Sequence, residues 1–333
     1  MKPVYIVSWL FALAISFVSC DDWLDKTPKD RLYPDVYFKT EDELRLFTNQ
    51  FYNNLVPSAV DIYSESSDLI VKSDLMLEMS GQRIIPDEGN GWNFTALRDI
   101  NFYLQYSHNC TEVNARNRYD GVARFFRAYF YFEKVKRYGD IPWYDKALDS
   151  DDPELYKARD SREFVMQKML EDLDFAIANL PKTKNAYVLT RWTALALKSR
   201  VCLFEGTFRK YHGLEDCEKY LNACVSASET FMNESGYTLY KSGSTPYRDL
   251  FASINLQADE VIFGRDYEAS LSVLHNVQNY ENSTTMGRPG MNKKIVNSYL
   301  MADGSRFTDK AGYETMTFDQ ECQNRDPRLA QTI

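Results

Sequence analysis

Apolar side chains recur at helical spacing over most of the chain between residues 40 and 235. Thr40 and Glu43 form a capping box, a pattern that begins helices. The apolar stripe that follows it stops at Pro57, a residue that cannot continue a helix. We therefore predict a first helix here, with its buried face formed by Leu44, Phe47, Phe51 and Leu55.

Two more helical regions are predicted before residue 140. The first covers 96–118, and the second begins at Asp120 as its N-cap and ends at Gly139. Aromatic side chains at helical spacing are typical of a core, so we predict a buried inner face of Val122, Phe125, Phe126, Tyr129, Phe132 and Val135. On the same helix, Arg124 and Arg127 are predicted to form salt bridges within the scaffold. We interpret Asp140 as structural.

The next two helices have clear punctuation at both ends. Asp160 and Glu163 make a second capping box, and the stripe after them is closed by Pro181. Thr190 is then predicted to cap a helix over 191–205 that ends before Gly206.

A last long helix is predicted from Cys217 to Phe231, and a strand-like run at 260–263 appears only after it. Helices of about 15 to 20 residues, joined by short turns and with alanine at packed positions, are typical of tetratricopeptide repeats. The predicted fold class is therefore mainly α: a tetratricopeptide-like helix-turn-helix scaffold with irregular loop-rich segments. Since no clean period of about 34 residues is present, a generic α-helical domain stays an alternative.

The composition argues against several classes of function. The 333 residues carry 39 Lys and Arg against 48 Asp and Glu, a net charge of −9 that argues against a nucleic-acid partner. Only 3 scattered His residues are present, so a His-rich metal site or a Ser-His-Asp triad is not expected. Hydrolase, zinc-protease, P-loop and Rossmann motifs are also missing. We predict no enzyme, no metal and no cofactor, although a carboxylate pair for glycoside hydrolysis stays open.

The N-terminus has the pattern of an export signal. Lys2 precedes an apolar run that is too short to span a bilayer comfortably and that ends at Cys20. A cysteine directly after such a run is typical of a bacterial lipoprotein signal, so we predict that residues 1–19 are removed and that the Cys20 thiol is lipidated. Phe17 departs from the usual leucine of such signals, and an ordinary secretory signal is the alternative.

Two other groups of residues could form disulfides or bind a metal ion. The five remaining cysteines show neither a disulfide framework nor a zinc-binding spacing, and we interpret them as small apolar side chains. The acidic run at 149–154 could bind Ca²⁺ through oxygen ligands. It lacks the glycine and terminal glutamate of an EF-hand loop, and a solvated turn is the simpler interpretation.

Four segments in order resemble the SusD/RagB family of surface lipoproteins from Bacteroidetes. The most specific is GVARFFRAYFYFEKVKRYGDIP, which runs from Gly121 to Pro142. The others are CDDWLDKTP from Cys20, YLMADG from Tyr299 and NRDPRL from Asn324. Family members are considerably longer, so the chain resembles the N-terminal part of one. The resemblance implies a lipidated leader at 20–39, a helical scaffold at 40–256 and the start of a loop-rich, ligand-facing portion at 257–333.

Aromatic platforms flanked by amides and arginine are what a sugar site requires. Trp92 lies in a glycine-flanked loop before a helix, and Tyr280 lies among amides and hydroxyls. The resemblance implies that glycan contacts come from loops in these two regions. The polar partners would be Asn93, Asn279 and Arg288. The alternatives are that Trp92 packs against the scaffold and that Tyr280 is an ordinary surface tyrosine.

The resemblance implies a non-catalytic lipoprotein, anchored through Cys20 in the outer membrane and facing the exterior. It would capture oligosaccharide for import through a SusC-like TonB-dependent transporter over which it closes as a lid. Two alternatives stay open: capture of peptides in place of glycans, and a scaffold whose ligand site lies in a C-terminal part outside this chain.

Overall fold

The computed structural model describes residues 34–57, 70–71, 77–86, 91–277, 282–283 and 290–333. The predicted signal peptide and most of the predicted leader lie outside these residues. Among the described residues, the first part of the chain is dominated by longer helices, with one short helix, α2, after the first of them. They are α1 Glu41–Leu55, α2 Leu77–Ser80, α3 Thr95–Tyr106, α4 Val113–Tyr138, α5 Arg162–Asn179, α6 Arg191–His212 and α7 Cys217–Glu234. The later helices are shorter: α8 Pro246–Ala252, α9 Lys293–Ser298, α10 Phe318–Cys322 and α11 Pro327–Thr332. An antiparallel pair, β1 Ile70–Val71 and β2 Gly290–Met291, joins distant parts of the chain.

The mainly helical prediction is confirmed, and the packing follows chain order. Helix α4 packs against α1, α3 and α5, α5 packs against α6, and α6 lies along α7. Helices that are neighbours along the chain bury their apolar stripes against each other. One large apolar core results, and its largest fully buried side chains include Tyr103, Tyr131, Phe51 and Phe126.

Several predicted caps are observed. The Thr40 hydroxyl accepts from the Glu43 amide, and the Glu43 carboxylate accepts in return from the Thr40 amide. Thr190 forms a similar pair with Thr193 at the start of α6. Gly139, with a φ of 71°, ends α4 as predicted. These ends are local features, because each depends on residues within one helical turn.

The predicted boundary between the helices of 96–118 and 120–138 is wrong. The chain leaves α3 through a 3₁₀ turn at Ser107–Asn109, and α4 begins at Val113, so Asp120 lies inside a helix instead of capping one. The Asn109 amide donates to the carbonyl oxygen of Pro34 at 2.8 Å, a contact that reaches across the fold. Gly121 lies within α4 where α5 passes close by, and a Cβ there would lie 3.4 Å from the Leu180 side chain.

Two other predicted helix ends are corrected. Ser161, not Asp160, caps α5, and its hydroxyl accepts from the Phe164 amide at 3.3 Å. Helix α6 continues through Gly206 to His212, and Gly213 is its C-cap. A Cβ on Gly206 would lie 2.7 Å from the Leu221 side chain, so this glycine permits the close approach of α6 and α7.

The segment after α7 is irregular, and the strand-like run at 260–263 forms no strand. The motifs that begin at Tyr299 and Asn324 are brought together there. The Arg325 guanidinium donates to the carbonyl oxygens of Val296, Tyr299 and Glu321, each at 2.8 Å, and lies 3.8 Å from the Phe307 ring centroid. The boundary predicted at 256 stays a prediction.

Candidate functional site

The loop that carries Trp92 is held in place by the scaffold. Gly91 has a φ of 90°, a backbone conformation that residues other than glycine rarely adopt. Its carbonyl oxygen accepts hydrogen bonds from the Lys134 ammonium on α4 and from the Asn93 amide. The Asn93 side-chain oxygen in turn accepts from the Thr95 amide at 2.8 Å, which satisfies a free donor at the start of α3.

Trp92 is partly packed and partly exposed. Its ring makes edge-to-face contacts with Phe94 at 5.3 Å and Tyr138 at 4.9 Å between centroids. The guanidinium of Arg159 lies over the ring, 4.8 Å from its centroid. The side chain is nevertheless 39% exposed. Both interpretations of Trp92 therefore describe part of it: one portion packs on the scaffold and another faces solvent.

Trp92 stands at the edge of an open cavity of about 540 Å³. Helix α3 forms one wall, and the segment between α4 and α5 forms the other. The size and the mostly apolar lining are those of a small-molecule site. The lining side chains are Trp92, Phe94, Thr95, Leu97, Arg98, Asn101, Pro142, Tyr144, Lys146, Leu148, Leu155, Lys157, Ala158 and Arg159.

Hydrogen bonds tie the second wall of the cavity to the first. The Asn101 amide on α3 donates to the carbonyl oxygen of Tyr144 at 2.8 Å, and Arg98 Nε donates to that of Leu148 at 3.2 Å. The Tyr144 amide donates to the Tyr131 hydroxyl at 2.6 Å. Burial, together with the nearby Asp160 and Glu154 carboxylates, raises the pKa of Tyr144. This wall is therefore a preformed surface.

Asn93 does not share this cavity. It lines a separate cavity of about 560 Å³, on the side formed by the end of α1 and by Tyr129, Phe130, Glu133 and Lys134 of α4. Burial and the neighbouring Arg137 lower the pKa of Lys134. The structure thus places Trp92 and Asn93 on two sides of one loop, and the ligand role of Asn93 stays a prediction.

The remaining predicted site residues lie outside the described part of the chain. These are Cys20, Asn279, Tyr280 and Arg288. Their predicted roles in lipidation and ligand binding stay predictions.

The cationic residues of the cavity belong to no sequence motif, and none of them is among the predicted site residues. Arg98 and Arg159 are separated by 61 positions and meet only because the segment between α4 and α5 folds back onto α3. One feature of the sequence could have indicated them: Lys157 and Arg159 are two basic residues, with one residue between them, within an otherwise acidic stretch. By contrast, Arg124 and Arg127 form the predicted scaffold salt bridges, both with Asp172.

Three further observations concern metal binding, the acidic run and membrane spanning. Across the described residues, no three His, Cys, Asp or Glu side chains form a group that could hold a metal ion. In the acidic run at 149–154, the Lys146 ammonium lies 2.9 Å from a Glu154 oxygen and 3.4 Å from an Asp152 oxygen. Within the described ranges, no helix combines the length and apolar character needed to cross a membrane.

A helical scaffold that opens into a cavity with aromatic walls is the architecture of a ligand-binding protein. A sequence profile of the SusD-like family described as "Starch-binding associating with outer membrane" matches residues 79–191, which include most of the cavity. The SusD-like protein P2 of Formosa agariphila is 26% identical over 294 residues, covering 82% of this chain and 55% of that protein. The chain is therefore similar to SusD-like proteins, both in the profile match and along most of its length.

Solved structures agree with this fold. A SusD-like protein of Bacteroides fragilis aligns with a TM-score of 0.70 at 22% identity, covering 92% of this chain and 63% of the other. A protein of the same species described as a SusD-like carbohydrate binding protein aligns with a TM-score of 0.67 at 16% identity, covering 88% and 59%. The chain spans about half the length of the curated relatives that it matches.

Proposed function

We propose that this protein binds oligosaccharide without catalysis, in the cavity beside Trp92. The observation that carries the proposal is an indole ring, 39% exposed, at the edge of a cavity of about 540 Å³. Sugar rings present flat C–H faces that stack on such aromatic surfaces. The family's description as starch-binding supports the proposal, as does the structural neighbour described as carbohydrate binding.

The mechanism is capture on a largely preformed surface. The exposed part of Trp92 offers the stacking surface, while Thr95 and Arg98 offer hydrogen-bonding groups at the start of α3. Helix α3 and the wall opposite are already joined through Asn101. Little ordering is needed on binding, which lowers the entropic cost of capture.

The cellular location and the transporter partner are proposed from the similarity to SusD-like proteins. We propose that Cys20 carries the lipid that holds the protein on the outer membrane, facing the exterior. The captured sugar would pass to a SusC-like TonB-dependent transporter. The family's description as associating with the outer membrane supports this location.

Isothermal titration against a panel of plant and host oligosaccharides tests the binding. We expect Trp92→Ala to weaken binding by about tenfold or more, equivalent to ~1.4 kcal/mol, because the stacking surface is lost. Phe251→Ala is a matched control, since this aromatic side chain is 73% exposed and lies outside the cavity. If no oligosaccharide binds to folded protein, the proposal fails, and binding of a tryptic peptide mixture in their place would favour peptide capture.

The lipid anchor has a separate test. Metabolic labelling with palmitate in a Gram-negative host should mark the wild-type chain and not Cys20→Ser. Cys322→Ser serves as the control for loss of a partly exposed thiol elsewhere. Equal labelling of all three proteins would contradict the assignment of the anchor to Cys20.

A further inference from the structure

The charges around the Trp92 cavity are one-sided. Its lining includes Arg98, Lys146, Lys157 and Arg159, and none of the described residues that line it is Asp or Glu. The chain as a whole carries a net charge of −9. The charged residues of this lining are therefore all cationic, although the protein as a whole is acidic.

The two lysines already have partners. The Lys146 ammonium pairs with Glu154 at 2.9 Å, and the Lys157 ammonium pairs with Asp160 at 2.9 Å. Lys157 also donates to the carbonyl oxygen of Trp143 at 2.6 Å. These carboxylates lie outside the cavity, so the two lysines stabilise the wall and contribute little free charge.

The two arginines differ from the lysines. Both are exposed, and neither forms an ion pair within the part of the chain that the structure describes. Arg98 uses its Nε to bind the Leu148 carbonyl oxygen, which fixes the guanidinium at the cavity wall. Asp99 is the nearest acid along α3, and burial raises its pKa despite the opposing effect of Arg98.

Arg159 lies over the exposed aromatic ring of Trp92. Its guanidinium lies 4.8 Å from the Trp92 ring centroid. A guanidinium that stacks through its face keeps the N–H groups at its edge free, and these form a fork that fits the two oxygens of a carboxylate or the oxygens of a sulfate. Trp92 and Arg159 together thus present an aromatic surface and an anion-binding edge side by side.

We propose that the Trp92 cavity selects acidic oligosaccharides, with a carboxylate or sulfate of the sugar bound by Arg159 and Arg98 beside a ring on Trp92. This rests on the proposed function and names its substrate class. The shared chemistry is a glycan-borne anion, which uronic acids and sulfated sugars both supply.

Titrations with matched ligands test the selection. The full chain, purified in mild detergent, is titrated with tri-galacturonate and with its carboxyl-reduced counterpart. A second pair is a sulfated carrageenan tetrasaccharide and its desulfated form. We expect at least one acidic ligand to bind about tenfold or more tightly than its neutral partner, and the preference to fall as salt screens the charges. Comparison of the two pairs separates carboxylate from sulfate recognition.

Variants assign the selection to the arginines. Arg159→Gln and Arg98→Gln should each reduce the acidic-over-neutral preference by about threefold to tenfold, measured as the ratio of the two affinities in the same variant. Arg248→Gln is the matched control, because it removes the same charge from an exposed side chain outside the cavity. It should leave the preference unchanged.

The outcomes distinguish the two proposals. Equal binding of acidic and neutral members of both pairs would overturn acidic selection and leave oligosaccharide binding intact. A preference that survives in both arginine variants would also overturn it. The absence of binding by any oligosaccharide, from protein with native circular dichroism, would overturn the proposed function and the selection together.

Discussion

Arginines occur in two contrasting surroundings in this protein. In the scaffold, Arg127 is 6% exposed and makes two hydrogen bonds to Asp172, at 2.6 and 2.7 Å. At the cavity, Arg98 and Arg159 are exposed and have no carboxylate partner among the described residues. A buried charge requires a partner to offset its lost hydration, whereas an exposed one does not. The difference separates arginines that stabilise the fold from arginines available to a ligand.

A second scaffold cluster shows the same pairing on a larger scale. Glu205 is fully buried and accepts from both Arg162 and Arg209. Arg209 also binds Glu163, which in turn accepts from the Tyr220 hydroxyl at 3.1 Å. The cluster links α5, α6 and α7, so its charges connect successive helices.

The largest expected effect comes from breaking the scaffold pair. Asp172→Ala should lower the free energy of unfolding by about 3–5 kcal/mol, because Arg127 would stay buried without a counter-charge. Urea unfolding followed by circular dichroism measures the change. Asp174→Ala on the same helix is the control, since Asp174 pairs with Lys198 but is 58% exposed, and about 1 kcal/mol or less is expected. Equal losses of unfolding free energy in the two variants would contradict the difference between buried and exposed ion pairs.

A smaller effect is expected from pH through Glu163. Burial would raise the pKa of this carboxyl, but the hydrogen bond from Lys219 and the charge of Arg209 outweigh it and lower the pKa below the usual 4.5. The folded state therefore binds the proton less readily than the unfolded chain. The resulting stabilisation is complete above the pKa of the unfolded chain and is lost as the pH falls through the folded-state pKa.

Urea midpoints at pH 7 and at a pH below 4.5 measure this contribution. Glu163→Gln should lower the midpoint at pH 7 and reduce the further loss on acidification. Glu171→Gln is a useful comparison, because the pKa of Glu171 is also lowered, chiefly by its hydrogen bond from Lys168, but its hydrogen bonds from Lys168 and Gln167 both come from its own helix α5. An acid-induced loss that is the same in wild type and Glu163→Gln would show that other groups cause it.

The smallest effect on stability is expected at the cavity. Arg159→Gln should change the free energy of unfolding by no more than about 0.5 kcal/mol, because the exposed guanidinium contacts Trp92 and pairs with no carboxylate among the described residues. Arg162→Gln, three residues further along, is the matched contrast and should be clearly destabilising, since it removes a bond to the buried Glu205. A large loss in Arg159→Gln would place this arginine with the scaffold group.

Local patterns predicted the scaffold well and its boundaries less well. The stripe from Val122 to Val135 is inward-facing as predicted, although Tyr129 is only half-buried. The predicted cap at Asp120 and the predicted stop before Gly206 were wrong for a common reason. An acid followed by glycine, or a glycine alone, is ordinarily helix punctuation. Here each glycine lies where another helix passes close by, which no pattern within one helix reveals.

The sequence by itself determined the helical class and most helix starts, since caps and apolar stripes involve residues a few positions apart. Its motifs also indicated the resemblance to SusD-like proteins. The sequence also singled out Trp92 as a candidate from its place in a glycine-flanked loop. Only the tertiary structure decided that Arg159 lies over Trp92, that Arg98 faces the same cavity, and that Asn93 lies on the other side of the loop. These arrangements depend on how the segment between α4 and α5 packs on α3. Such packing is set by many side chains far apart in sequence, whereas a helix cap is set by one turn.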